Sequence, residues 1–350
     1  MSKSKFRVGV IGTGGIFRGV HVPAWKNIPD AEIVAVADVD TDRASTLARE
    51  LGIEHVFADY RELVKLDLDA VDVCTPNGVH TSAVLAALNA GKHVICEKPL
   101  ATTVADVRRM GRLADKKKLK LMTAQHQRFT SSAMAIHKWA EAGHLGEVYH
   151  ARVRAMRRAW LPGRPGFIDR KLSGGGPCMD IGVHALDCAM WIMGFPKPVR
   201  VSGTAKVNFA KGTTIPGMWG EWDRKMFNVE DFAAGFVHFE NGATMTLEAS
   251  WLGHQPENED MSFQLFGFKG GVKWPSGEFA TVQDRNFVQG TLQNARQVEH
   301  PHREEVKAFY ECVTKDKPSP VPWTETVHVI AILEAVYESQ KQGREITVKG

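Results

Sequence analysis

Three features of the sequence predict an α/β chain: a doubly wound parallel sheet followed by an α+β domain. Strand-like and helix-like segments alternate through the first third. The first of these strands breaks into glycines and restarts as a helix. Beyond residue 148, segments of alternating polarity follow one another with few helices between them, which calls for antiparallel pairing.

The bulk properties agree. A length of 350 residues suits two domains, and 43% hydrophobic with 24% charged residues suits a globular chain with a sizeable core. The net charge of +4 is small, and the only dense basic run is Lys116–Lys118, so nucleic-acid binding has little support. No stretch approaches the ~18 apolar residues of a membrane span. Lys3, Lys5 and Arg7 precede an apolar run that Gly9 and Gly12 cut too short for a secretory signal. The five cysteines include no C-x-x-C pair, and Cys74 and Cys96, inside strand-like apolar runs, read as reduced core residues of a cytoplasmic protein.

In order, residues 8–11 read as strand and 16–27 as helix, with Pro23 as a bend. Strand 33–37, helix 43–51, strand 55–57 and helix 60–66 follow. Then come strand 70–74, helix 81–90 closed by Gly91, strand 93–96, helix 104–117 and strand 119–123. Helices of this length between strands require parallel pairing, and the pattern closes a first domain at 1–124. Residues 125–350 form the second domain. It opens with helix 132–142, strand 148–158, a Gly/Pro-rich loop over 161–177 and helix 180–193. Alternating runs cover 199–209, 232–240, 243–251 and 261–268, with Asn241-Gly242 as a hairpin turn. Helices at 304–313 and 324–340 end the chain.

The glycines carry the first chemical signal. Gly12 permits a tight turn, and Gly14, lacking a Cβ, lets the backbone approach a phosphate closely. The amides of the following helix then face the anion. Phe17 stands where the G-x-G-x-x-G pattern has its third glycine. Asp38 ends the next strand, 26 positions beyond Gly12, where an acid accepts the ribose hydroxyls of adenosine and repels a 2′-phosphate. That favours NAD over NADP; the same residue would also serve as a cap for the next helix.

Glu97-Lys98-Pro99 ends the fifth strand, the edge where open α/β sheets bind ligands. An amine there can hydrogen-bond a substrate hydroxyl and help move its proton; a surface ion pair with Glu97 is the other reading. Gly174-Gly175-Gly176 precedes Asp180, Gly182, His184 and Asp187. Four residues separate Asp180 from His184, so a carboxylate and an imidazole share a helix face, the arrangement of a general base. Asp180 as a cap and His184 as a packed core residue remain open. His300-Pro301-His302 fits no zinc spacing, and Pro301 fits a helix start. Trp160, Trp219, Trp222, Trp251 and Trp274 fit a core, or a surface on which sugars stack.

The glycines, Asp38, Thr75-Pro76-Asn77 with His80, Glu97-Lys98-Pro99 and Asp180-x-Gly182-x-His184 occur in this order along the chain. Together they resemble the glucose–fructose oxidoreductase/inositol dehydrogenase (Gfo/Idh/MocA) family. The resemblance implies a Rossmann domain and a second domain with a large, open, mostly antiparallel sheet. That sheet would join a homodimer or homotetramer. It also implies NAD(P)-dependent hydride transfer at a secondary alcohol of a sugar, sugar derivative or cyclitol, without a metal. Carried over, Lys98, Asp180 and His184 are the catalytic trio, with Arg158, Trp160 and Asp187 beside them at the substrate. Gly12, Thr13, Gly14, Gly15, Ile16, Phe17, Asp38, Thr75, Pro76, Asn77, His80, Glu97, Lys98, Gln125 and Arg128 face the cofactor. Two other functions fit the same scaffold: glycoside cleavage by oxidation, elimination and re-reduction, and a non-enzymatic dinucleotide-binding sensor or repressor.

Overall fold

A computed structural model of the chain describes residues 5–348. They fall into two compact units. The first takes the residues up to Ala101 together with Ala105–His126 and His300–Thr326. The second takes Thr102–Val104, Gln127–Glu299 and the residues from Val327 on.

The first unit is built on six parallel strands: β1 Phe6–Ile11, β2 Ala31–Ala37, β3 His55–Phe57, β4 Ala70–Val73, β5 His93–Glu97 and β6 Leu121–Ala124. Their spatial order is β3-β2-β1-β4-β5-β6. The central strands are near-continuous apolar runs because helices cover both faces of such a sheet, and every residue of β4 is buried. The order reverses between β1 and β4, so a crevice opens beyond their carboxyl ends.

The helix expected over residues 16–27 is a π turn at Phe17–His21 that passes into an α-helix at Val22–Lys26. Pro23 lies in the first turn of the α segment, where its missing N–H leaves no hydrogen bond unmade. The helix expected over 60–66 is shorter, Tyr60–Leu63. Pro301 does start a helix, Pro301–Thr314.

The second unit carries a nine-stranded sheet. Its strands are β7 Val148–Arg157, β8 Pro198–Lys206, β9 Phe232–Phe239, β10 Thr244–Ser250, β11 Glu259–Gly267, β12 Gly270–Trp274, β13 Glu278–Gln283, β14 Asn286–Thr291 and β15 Ile346–Thr347. They lie in the order β14-β13-β12-β11-β7-β10-β9-β8-β15, antiparallel except for the β7–β10 pair. Asn241-Gly242 forms the expected hairpin turn, with Gly242 at φ 86°. β12 to β14 extend the sheet beyond the expected strands. The helix Val183–Ile192 packs on β7 and β11 and buries all but one of its residues, Trp191. Among the described residues no helix is long and apolar enough to cross a membrane.

Candidate active site

In the first unit, Gly12 sits at the carboxyl end of β1 with φ 96°. A Cβ there would lie 2.6 Å from the Cys74 carbonyl oxygen, at the end of β4, so this turn admits only glycine. Gly14 is different: a Cβ there would meet nothing within 4 Å. The space beside its backbone is open, as a pyrophosphate requires. Gly15 and Ile16 are exposed beside it, whereas the Phe17 side chain is fully buried in the π turn and leaves only its backbone toward the loop. In the same unit the Thr75 hydroxyl and the Gln125 amide oxygen are buried without a hydrogen-bond partner. A buried polar atom left unpaired is costly unless a ligand satisfies it. The glycine cradle and these two atoms fit a bound dinucleotide.

Asp38 anchors the loop. Its Oδ2 accepts the Thr13 amide at 2.7 Å and the Thr13 hydroxyl at 2.8 Å. Its Oδ1 accepts the Asp40 amide at 3.0 Å and the Arg43 guanidinium at 2.7 Å. Burial raises its pKa, but these bonds, that from Arg43 foremost, outweigh it and hold the carboxyl below its usual range. The helix cap that Asp38 was free to supply comes from Asp40, which accepts the Arg43 amide at 3.0 Å.

At the end of β5, Glu97 is buried and Lys98 partly exposed. Glu97 Oε2 accepts the Lys98 amide at 3.1 Å, and Glu97 Oε1 lies 2.9 Å from His21 Nε2. Burial raises the Glu97 pKa, but the hydrogen bond and charge of His21 prevail and bring it down to about 2. His80 is wholly buried, with Nδ1 2.8 Å from the Pro99 carbonyl oxygen and Nε2 2.8 Å from that of Thr75. Burial lowers the His80 pKa, and a neutral ring has a single N–H, so it donates to one of these two carbonyls. His21 and the stacked pair His126–His302, ring centroids 3.9 Å apart, were not anticipated. Burial lowers His126 to about 3 and His302 to about 4.

In the second unit, Asp180 lies in a π turn at Cys178–Gly182, and His184 follows at the start of the α-helix Val183–Ile192. Asp180 Oδ2 accepts the Trp251 indole N–H at 3.2 Å, which orients the carboxylate. His184 is 8% exposed. The three preceding glycines are fixed by contact: Cβ atoms would stand 2.2 Å from the Thr102 side chain, 2.1 Å from the Tyr337 hydroxyl and 2.0 Å from the Glu230 carbonyl oxygen. Glu230 Oε1 accepts the Gly176 amide, the Cys178 amide and the Tyr337 hydroxyl, at 2.9, 3.2 and 2.8 Å. This acid holds the segment leading to Asp180, and its only sequence signal is the Glu230-Asp231 pair before an alternating run.

Two expected contact residues, Arg128 and Asp187, pair with each other. The guanidinium of Arg128 donates from Nε to Asp187 Oδ2 at 2.7 Å and from a terminal nitrogen to Oδ1 at 2.8 Å, with both side chains enclosed. This bidentate pair fixes both side chains against each other. Arg158 ties itself to the turn at Pro256 and Asn258. Trp160 stacks on exposed Trp219 with ring planes 5° apart, and Arg157 covers the other ring at 4.9 Å.

Residues 6–125 match the oxidoreductase family profile for an NAD-binding Rossmann fold. Residues 138–349 match the C-terminal α/β domain of the same family. The chain is 33% identical to the D-glucoside 3-dehydrogenase of Escherichia coli, covering 99% of this chain and 98% of that protein. It is 28% identical to the myo-inositol 2-dehydrogenase of Thermotoga maritima, covering 98% of each. The crystal structure of an aldose-aldose oxidoreductase from Caulobacter crescentus has the same fold, with TM-score 0.80 at 23% identity over 98% of this chain and 99% of that one. The chain is a member of the Gfo/Idh/MocA oxidoreductase family.

Proposed function

We propose that this oxidoreductase transfers hydride between a secondary alcohol of a sugar, sugar derivative or cyclitol and a nicotinamide, with NAD preferred to NADP. The observation that carries this reading is the cradle at the β1/β4 switch point, with Gly12 forced, Gly14 open and two buried polar atoms unpaired. The substrate class is supported by full-length relatives named for a glucoside and an inositol. The cofactor preference is supported by Asp38 at the end of β2.

When bound, the nicotinamide exchanges the hydride. The protein supplies position and proton transfer. Lys98 donates a hydrogen bond to the reacting oxygen and stabilises the charge that grows as its proton leaves. His184 takes that proton as general base, and Asp180 orients the substrate hydroxyl and the imidazole. Residues 1–124 serve the cofactor and 125–350 the substrate. Tyr149, Phe266 and Phe268 form a partly exposed aromatic cluster on the nine-stranded sheet, which supports assembly into a homodimer or homotetramer through that face. The buried free cysteines fit a reducing, cytoplasmic setting.

The test is cofactor reduction with NAD⁺ and with NADP⁺ over a panel including methyl β-D-glucoside, myo-inositol and D-xylose. Reduction with at least one of these is expected, faster with NAD⁺. Tight NADH binding with no reduction across the panel would overturn the reading.

A further inference from the structure

His21 has no role in the reaction as described, yet it is wholly enclosed at the end of the π turn Phe17–His21. Its Nδ1 lies 2.8 Å from Asp72 Oδ2 on β4, and its Nε2 lies 2.9 Å from Glu97 Oε1 on β5. Asp72 Oδ2 also accepts the Trp25 indole N–H at 2.8 Å. Ionised carboxylates only accept, and a neutral imidazole has one N–H. Both contacts are hydrogen bonds only if both ring nitrogens carry protons. His21 is therefore an imidazolium between two carboxylates. Burial opposes that charge, but the Asp72 carboxylate overcomes it and raises the histidine well above its usual range.

Packing alone gives no reason for this cluster, because apolar side chains of similar volume are often as stable as a buried ionic group. What the cluster grips is the end of β5. Glu97 gives one oxygen to His21 and the other to the Lys98 amide. On the far side of Lys98, the Pro99 carbonyl oxygen lies 2.8 Å from His80 Nδ1. The Lys98 amide is thus tethered through Glu97, with His80 packed beside the next carbonyl.

We propose that His21 is a positioning residue for Lys98, acting through Glu97 to hold the backbone from which the amine is presented. This rests on the reading of Lys98 as the group that contacts the reacting oxygen. His21 itself touches neither substrate nor cofactor.

The experiment compares His21→Asn, Lys98→Ala and the double variant by single-turnover and steady-state kinetics. The probe is NAD⁺ with whichever of the three panel compounds is oxidised fastest. NADH affinity is followed by fluorescence titration. Displacing a reacting group by about 1 Å costs on the order of a hundredfold, so His21→Asn should lower kcat about ten- to a hundredfold and leave NADH affinity within about twofold. In the Lys98→Ala background the same substitution should change the rate by less than about twofold, since residues acting through one another are not additive. Slow Lys98→Ala beside normal His21→Asn, or fully additive losses, overturns the proposal alone. Near-normal Lys98→Ala overturns the catalytic reading and this proposal with it. If melting curves show His21→Asn unfolded, Glu97→Gln replaces it: the shape and the acceptor for the Lys98 amide remain, while the charge facing His21 is lost. The same drop in kcat is expected, and a folded Glu97→Gln enzyme of normal kcat overturns the proposal.

Discussion

Arg43 donates to Asp38 across 2.7 Å, so the acid that ends β2 already carries a cation at its side. The two residues pull cofactor choice in opposite directions. Asp38 suits the ribose hydroxyls of NAD, and a neighbouring arginine accommodates the 2′-phosphate of NADP. Asp38→Ala should weaken NAD about ten- to a hundredfold, the size of a lost hydrogen bond to a charged group, and NADP less. Arg43→Ala should do the reverse. The ratio of kcat/KM for the two cofactors is the measurement; equal losses for both cofactors in Asp38→Ala would separate this acid from the ribose.

Gly12 and Gly14 should respond differently to the same added methyl. In Gly12→Ala the Cβ meets the Cys74 carbonyl at a positive φ, so the fold itself suffers and the melting temperature drops. Gly14→Ala should melt like the parent, because nothing stands within 4 Å of the new carbon. Its defect should appear in NADH titration, as weaker binding. Unchanged affinity in Gly14→Ala would mean that no phosphate approaches this backbone.

Lys98→Ala should lower kcat by at least about a hundredfold, the usual loss when a group assisting proton transfer is removed. NADH should still bind. A turnover number near that of the parent would exclude the amine from the reaction.

The Arg128–Asp187 pair predicts a stability defect with no change in cofactor preference. Removing one partner strands a buried charge, which costs about 3–5 kcal/mol. Arg128→Ala should therefore show a lower midpoint in urea unfolding, while the NAD to NADP ratio of any folded enzyme stays as in the parent. An unaltered midpoint would mean that the pair opens to solvent.

The stacked histidines make the fold sensitive to mild acid. His126 titrates at about 3 and His302 at about 4 in the folded chain, while both titrate at about 6.5 once unfolded. Between those values the unfolded state binds more protons, so stability is lost as pH falls below about 6.5. Each histidine contributes up to about 1.4 kcal/mol per pH unit. Glu97, ionised in the fold down to about 2, adds its own loss only below the unfolded carboxyl range. His21 works in the other direction: with its pKa raised, its contribution is complete below about 6.5 and is lost as pH rises through its folded value. Urea midpoints from about pH 7 to about pH 4.5 should therefore fall, and His126→Asn with His302→Asn should flatten the slope.

The first unit was legible because each step of its chain carries a local signal. Buried strands are apolar runs, the helices between them force parallel pairing, and a glycine such as Gly12 marks the switch point. The second sheet was legible where strands alternate and where Asn241-Gly242 names its turn. It faded at β13–β14, whose turn places Asp284 and Arg285 at φ 50° and 66° without the glycine or asparagine that advertises such a conformation. The site was legible as a set of chemical types, less so as contacts. Nothing local tells that Arg128 will meet Asp187, or that His21 will stand between Asp72 and Glu97. Those pairings join segments 51 to 76 residues apart, and each member taken singly is an ordinary polar residue of a helix or strand.

The crowding around Gly174, Gly175 and Gly176 sets a boundary for anyone altering what this enzyme accepts. Each position is walled by a different neighbour, so even one methyl group would push on Thr102, on Tyr337 or on the Glu230 backbone before it reached any sugar. Libraries that randomise this knuckle will mostly collect misfolded protein. Diversity is better placed at the indole pair of Trp160 and Trp219, where side chains meet solvent and can be exchanged without moving the backbone that carries Asp180.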